Sequence, residues 1–328
     1  MDMNLDAFAD KIMLVDNVLN ESLRGEVPNL HDAIEYHMST GGKRIRPLLA
    51  IMTCEALGGS VEQAVPFAAA CELTHAWLLV HDDFQDGDRV RRNKPAVWVK
   101  YGAPHAVNIG DYMAHKVFQL ILKCSYAGVK DAVVMKLINE AVETTLVTAE
   151  GQAMDMNLRA NDSPTEEEYT KMVSAKTGRY LTMPIKGGAL IAGIEYLSSR
   201  IAEFGTQLGL AFQITDDILD LTEGKGRGET GRDIKEGKRS MMVVHCIGKC
   251  TKDEREKLLQ ILNKPVEETT NDDVLYAKSL FEKYGSIKYA QEKAEHYSDK
   301  AKQIADSMPP KLREVLHFFA DYIVKRKR

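Results

Sequence analysis

Residues 61–86 read VEQAVPFAAACELTHAWLLVHDDFQD. From Val61 to Phe84 the stretch is apolar and Ala-rich on several faces. It is too long for a strand and lacks period-two alternation, so it predicts a helix buried around most of its circumference. It ends in an Asp-Asp-x-x-Asp cluster formed by Asp82, Asp83 and Asp86. Far downstream, GLAFQITDDILDLTE repeats the arrangement: Arg200 to Leu221 predicts a second buried helix carrying Asp216, Asp217 and Asp220. Unpaired carboxylates on such apolar helices would be costly to bury, so cationic partners are expected at both places.

Working outward, apolar residues recur at spacings of three and four from Leu5 to about Met38 (Phe8, Ile12, Val15, Val18, Leu19), with a break from Gly25 to Pro28. This predicts two helices joined by a turn, the second stopping at Ser39-Thr40-Gly41-Gly42. Arg46-Pro47-Leu48 opens a helix through Ala56, with Pro at an early position where its missing N–H does no harm. A loop runs from Gly87 to Pro95, then helices from Pro104 to Cys124 and from Asp131 to Asn157. Ser163-Pro164-Thr165-Glu166 reads as a capping box that opens a helix through Ser174, and helix resumes to about Ile191. Thr222 to Ser240 predicts a long loop whose length suggests function. From Met241 the chain is helical again, with turns at Asn263 to Asp273 and Gly285-Ser286 and a break at Pro309-Pro310. Alternating strand patterns are absent. The expectation is all-α: a single large helical bundle around a central cavity, one domain over residues 1–328.

Lys and Arg number 43 against 48 Asp and Glu, a net charge of −5, which argues against nucleic acid as the main partner. Five cysteines, an odd number, follow an N-terminus with no secretory pattern, and this points to a reducing, cytoplasmic setting. His245, Cys246 and Cys250 lie on an apolar run with no second pair at zinc spacing, so they read as core residues. No run approaches the ~18 apolar residues of a membrane span, so no stable membrane insertion is expected.

Residues four apart on a helix share a face about 5–6 Å apart at Cβ, so Asp82 with Asp86, and Asp216 with Asp220, present paired carboxylates. Hard oxygen ligands of this kind suit Mg²⁺, which keeps waters and substrate phosphates as its other ligands. Basic groups are interleaved: Lys43, Arg44 and Arg46 behind Gly41-Gly42, Arg91-Arg92 past the first cluster, Lys176, and Lys238-Arg239. Guanidinium forks grip phosphate oxygens. Two acidic clusters interleaved with four basic ones favour an anionic-substrate site over solvated faces.

These residues carry a resemblance. GGKRIRP, DDFQD followed by RVRR, GQAMDM (Gly151 to Met156), KTG, FQITDDILD and DIKEGK (Asp233 to Lys238) resemble the motifs of trans-isoprenyl diphosphate synthases, in order and along nearly the whole chain. His75 and Trp77 resemble the archaeal-type, geranylgeranyl diphosphate synthase-like branch. The resemblance implies the isoprenoid synthase fold, a homodimer, and condensation of isopentenyl diphosphate with an allylic diphosphate by ionisation, condensation and elimination. Lys43, Arg46, His75 and Arg92 would hold isopentenyl diphosphate. Asp82, Asp86 and Asp216 would carry about three Mg²⁺ that polarise the leaving diphosphate. Arg91, Lys176 and Lys238 would neutralise it, Asp83, Asp217 and Asp220 would support the metals, and Thr177 and Gln213 would lie beside the allylic cation.

Counting back from Asp82 at 100° per residue places Leu78, His75 and Cys71 near its face, with Trp77 and Thr74 flanking. Trp77 stands at the family's length-determining position, fifth before the first Asp. A bulky indole there implies a short product, geranylgeranyl diphosphate before farnesyl diphosphate. Three departures stand out: Asn93 for a usual Gly, Ser240 for Thr, and Glu229 where a diphosphate-binding Lys is common. The cation missing at Glu229 would come from Lys225 or Arg227, or else the chain is a weakly active or regulatory subunit of a heteromeric synthase. Two Glu-x-x-His pairs, Glu72 with His75 and Glu314 with His317, also admit a di-iron bundle, which would leave the Asp clusters unexplained. A terpene cyclase would share one Asp-rich motif but not GGKRIRP or DDILD.

Overall fold

The computed structural model describes residues 5–222 and 229–325. It is all-α, as expected, apart from one two-residue hairpin. The helices run α1 (Ala9–Ser22), α2 (His31–Met38), α3 (Ile45–Ala56) and α4 (Val61–Gln85), followed by the hairpin strands β1 (Val90–Arg91) and β2 (Lys94–Pro95). Then come α5 (Val97–Tyr101), α6 (Ala103–Tyr126), α7 (Asp131–Leu158), α8 (Glu166–Val173), a π-helical turn at Ser174–Gly178, α9 (Arg179–Ile191) and α10 (Ser198–Thr222). The remainder is α11 (Arg232–Lys235), α12 (Met241–Ile247), α13 (Lys252–Leu262), α14 (Asn271–Lys283), α15 (Ser286–Ala305) and α16 (Pro310–Lys325).

The apolar composition of α4 has the expected consequence. Ser60 caps its first turn by accepting from the Gln63 N–H, and Phe67, Leu73 and Val80 are fully buried along it. It packs chiefly on α6, through Ile109, Met113 and Leu120, and also on α3, α1 and α9. The other apolar helix, α10, packs on α15 and α9, with Phe204 and Leu208 in one cluster and Leu210, Ile214 and Leu221 in another. Helix α9 touches both α4 and α10, and the π-turn ahead of it touches both α7 and α10. Thus α9 and its π-turn join the walls on which the two acidic motifs sit. Among the described residues no helix is long and apolar enough to cross a membrane.

Two local expectations need correction. The hairpin appears where only loop was expected, because Arg92 and Asn93 occupy the left-handed region (φ 52° and 61°) as the two central residues of its turn. Asn tolerates that region better than most side chains, so Asn93 serves at this turn without Gly. The cap of α8 is Thr165 with Glu168, two residues later than Ser163 with Glu166. Thr165 accepts from the Glu168 N–H at 3.1 Å and the Glu168 carboxylate accepts from the Thr165 N–H at 2.8 Å. Pro164 therefore lies outside the helix.

Candidate active site

A cavity of about 500 Å³ opens between the C-terminal halves of α4 and α10. Lys43, Arg46, His75, Asp82, Arg91, Arg92, Lys176, Thr177, Gln213, Asp216 and Lys238 all line it. Residues scattered over almost two hundred positions of sequence are thereby brought to one place. Asp83, Asp86, Asp217 and Asp220 do not line it, and neither does Thr74.

On the α3 side, Arg46 is buried, its guanidinium 4.3 Å from the Tyr180 ring and 5.9 Å from that of Phe212. Its Nε and Nη2 are buried with no hydrogen-bond acceptor. Buried guanidinium N–H groups carry a desolvation cost until an anion meets them. Arg44, counted with Lys43 and Arg46 as a basic cluster, has a different role: it donates to Asp16 at 2.9 Å and to Glu72 at 2.8 Å, fastening the segment to α1 and α4. His75 is stacked near Tyr180 at 6.1 Å, and burial together with the Arg46 charge drives its pKa well below the ordinary histidine value. Both effects favour the neutral imidazole over the cation. Glu72, tied to Arg44, and His317, which meets Asp306 at 3.0 Å, leave the two Glu-x-x-His pairs apart.

The first acidic motif divides. Asp82 faces the cavity, 3.6 Å from Lys176 Nζ. Asp86, the cap residue at the end of α4, keeps helical geometry, its N–H donating to the Asp82 carbonyl at 2.8 Å, but its carboxylate is buried and does not line the cavity. Arg159 donates to it at 2.7 Å, and Lys238 lies 3.4 Å away. Burial alone would raise the Asp86 pKa, but the Lys238 and Arg159 charges outweigh this and hold it far below the usual carboxylate range. Asp83 points into the protein and accepts from Arg91 Nε at 2.7 Å; burial pushes its carboxyl up to about 6 against the Arg91 charge.

The second motif divides likewise. Asp216 lines the cavity, whereas Asp217 accepts from Tyr169 at 3.0 Å and from Gln213 Nε2 at 2.8 Å. Thr177 in turn donates to Gln213 Oε1 at 2.9 Å. Asp220 accepts the Asp233 backbone N–H at 2.9 Å and so holds the DIKEGK segment against α10. The π-turn presents Lys176 and Thr177, a frequent functional use of that geometry. It approaches α7 so closely that a Cβ at Gly151 would lie 2.3 Å from the Lys176 backbone nitrogen.

Residues not singled out from the sequence complete the site. Asp155 accepts from Lys176 at 2.7 Å, and Arg159, one turn on, reaches both Asp155 and Asp86. Gly151, Asp155 and Arg159 at spacings of four were the available signal. Burial favours the neutral amine of Lys176, but Asp82 and Asp155 outweigh it and lift its pKa above the ordinary lysine value. Tyr180, Asp88 and Arg232 carried no motif signal, and Phe212 and Glu236 lay inside quoted motifs without being assigned a role.

A smaller cavity of about 240 Å³ adjoins the first, sharing His75, Leu79, Asp82, Lys176 and Tyr180 with it. Trp77 and Leu78 line it, with Thr148 and Ala149 of α7. Thr74 turns its hydroxyl back onto the Ala70 carbonyl at 2.8 Å, and Cys71 is fully buried in the core. The Trp77 indole stands edge-on to His81 at 5.6 Å, and His81 Nε2 lies 3.2 Å from the Val107 carbonyl. A Cβ at Gly110 would fall 2.0 Å from that nitrogen, so α6 needs Gly there to admit the imidazole that backs the indole. His245, by contrast, meets Ser286 at 3.0 Å and stacks on Tyr289 at 4.1 Å, away from this site.

A polyprenyl synthetase family profile matches residues 27–279. The chain belongs to that family. It is a prenyltransferase of isoprenoid biosynthesis. It is 33% identical to a geranylgeranyl diphosphate synthase of Sulfolobus acidocaldarius, over 98% of both chains. It is 30% identical to a geranylfarnesyl diphosphate synthase of Aeropyrum pernix, over 96% of this chain and 99% of that one. A polyprenyl synthase structure from Caulobacter crescentus, complexed with calcium and isoprenyl diphosphate, superposes with a TM-score of 0.90 at 27% identity, covering 100% of this chain and 99% of that one.

The family uses divalent metal ions with diphosphate substrates. Among the described residues no three His, Cys, Asp or Glu side chains are clustered so as to hold a metal by themselves. Two hard carboxylates, Asp82 and Asp216, line one cavity together with several cations. That donor set fits Mg²⁺ bridged by diphosphate oxygens rather than caged by protein.

Proposed function

We propose that the chain acts as one domain, residues 1–328, condensing isopentenyl diphosphate with an allylic diphosphate to give geranylgeranyl diphosphate. The observation that carries this reading is the pair of buried, acceptor-less nitrogens of Arg46 in a cavity also lined by Asp82 and Asp216. Arg46, Lys43 and Arg92 bind the isopentenyl diphosphate, and neutral His75 donates a hydrogen bond to it. Lys176 and Lys238, with Arg91, hold the allylic diphosphate on the opposite side. Asp82 and Asp216, with Asp86, would hold Mg²⁺, which would supply Lewis-acid chemistry to the leaving diphosphate. As the allylic C–O bond breaks, the carbonyl of Gln213 and the hydroxyl of Thr177 present oxygen dipoles to the cation, and Tyr180 and Phe212 keep water out. The isopentenyl double bond then attacks, and the proton lost in elimination goes to the departed diphosphate.

Trp77 limits product length as the floor of the smaller cavity. The names of the relatives span twenty- and twenty-five-carbon products, and an indole here supports the shorter. Exposed apolar side chains on α6 and α7, among them Leu122, Tyr126, Met135 and Leu146, support a homodimer through that face. Five free thiols support a cytoplasmic setting. The test is the purified chain alone with isopentenyl diphosphate, farnesyl diphosphate and Mg²⁺. Geranylgeranyl diphosphate by chromatography is expected, and absence of any prenyl product would contradict the catalytic reading and favour a regulatory subunit.

A further inference from the structure

Glu229, which stands where related chains carry a lysine, turns away from diphosphate chemistry: its carboxylate meets Lys235 at 2.6 Å and Arg232 at 3.6 Å. Arg232 is the more informative partner. Its Nε donates to Asp88 Oδ1 at 3.0 Å and to Glu236 Oε1 at 3.1 Å, and its Nη2 donates to the Gly87 carbonyl at 2.9 Å. One guanidinium therefore fastens α11 to the chain leaving the first acidic motif. Asp88 and Glu236 are both buried, and each touches a second cation that does line the cavity. Asp88 Oδ2 lies 3.3 Å from Arg91, and Glu236 Oε2 lies 2.6 Å from Lys238.

We propose that Arg232 is a positioning residue that sets the reach of Arg91 and Lys238 toward the allylic diphosphate by sharing their buried carboxylates, Asp88 and Glu236. The inference rests on the prenyl-condensing reading above. Arg232 does not line the cavity, so it acts through its neighbours. A carboxylate shared between two cations binds each less tightly than one it holds alone. With Arg232 present, Asp88 and Glu236 each keep a cation when Arg91 and Lys238 turn to a phosphate, while Asp83 holds Arg91 independently of Arg232. Without it, Asp88 and Glu236 draw both cations onto themselves, because a buried carboxylate left unpaired is strongly disfavoured. Arg46 and Arg92, on the α3 side, are placed by other partners: Arg46 lies 4.3 Å from the Tyr180 ring and Arg92 donates to Thr40 at 3.2 Å. The predicted effect is therefore confined to one substrate.

The experiment compares the full chain with Arg232→Gln and Arg232→Lys, measuring KM for the allylic diphosphate and for isopentenyl diphosphate separately. Arg232→Gln should raise the allylic KM roughly tenfold, the scale of one charged hydrogen bond, with the isopentenyl KM close to wild type. Arg232→Lys keeps the charge but cannot fork between two acids and a carbonyl, so it should give a smaller rise in the same KM. In a Lys238→Ala background the effect of Arg232→Gln should shrink, since part of its route is gone. If Arg232→Gln fails to fold, Arg232→Lys carries the comparison. A folded variant in which both KM values rise together, or neither moves, overturns the proposal. Calorimetric affinity for inorganic diphosphate with Mg²⁺ separates this from the functional reading. A wild-type chain that makes no prenyl product defeats that reading, whereas equal affinities of wild type and Arg232→Gln defeat the role of Arg232.

Discussion

The two acidic motifs have the same spelling and different surroundings. At the end of α4, Asp86 and Asp83 are gripped by Arg159, Lys238 and Arg91, so charge answers charge. In the last turns of α10, the partners of Asp217 include a tyrosine hydroxyl and a glutamine amide, and those of Asp220 include a backbone N–H. In each motif one carboxylate faces the cavity, Asp82 or Asp216, and the others anchor what surrounds it. Asp86 caps α4 and meets cations from the end of α7 and from the segment after α11. Asp217 and Asp220 lie inside the last turns of α10, where Tyr169 of α8 and the backbone of Asp233 reach them. The repeat is thus one of cavity-facing acids, not of whole clusters.

The comparison breaks most visibly if the exposed and inward acids turn out to be equivalent. Asp82→Ala should lower turnover roughly 100- to 1000-fold, with helical circular dichroism unchanged. Asp217→Asn, which leaves the cavity-facing acids in place and disturbs the Gln213 and Tyr169 contacts, should cost roughly tenfold. Equal losses in steady-state assays would contradict the division of labour.

Of intermediate size is a change in product rather than rate. Trp77→Ser should lengthen the main product, and Gly110→Ala, by driving His81 against the indole, should shift the product distribution without touching Asp82. Chromatographic sizing that shows the wild-type product in both variants would remove Trp77 from the floor.

The smallest effect reports on the charges around the first motif. Burial, followed by the Arg92 and Arg91 charges, pushes His37 down to about 3 from its ordinary 6.5. Below the ordinary value the unfolded chain takes up a proton that the folded chain refuses. Stability is therefore lost as pH falls from 6.5 toward 3, by about 1 kcal/mol at pH 5.5. Urea titrations at pH 7.5 and 5.5 should show that difference shrinking in His37→Gln.

The helical order and the cavity-facing residues were legible because each leaves a local mark: apolar runs for α4 and α10, Asp pairs and Gly-led basic clusters for the site. Asp155 and Arg159 left a fainter one, a spacing of four on a long helix. Arg232 left none, and Glu236 only its place in DIKEGK, since their meaning depends on α11 lying beside the end of α4. The burial of Asp86 was equally hidden, because it depends on cations supplied by the end of α7 and the segment after α11. The Arg92-Asn93 turn was missed for another reason, as two residues of strand on each side make no alternating pattern. Lys225 and Arg227, the proposed replacements for the cation absent at Glu229, lie outside the described residues, as do the last three residues of the basic C-terminus.

The central claim is that Asp82 and Asp216 are two walls of one metal–diphosphate site. Crystals grown with Mn²⁺ and inorganic diphosphate test it through anomalous scattering. The account predicts manganese peaks within bonding distance of both carboxylates, joined by a diphosphate that also contacts Lys176. Manganese at only one motif, or diphosphate bound with no metal against either aspartate, would contradict it.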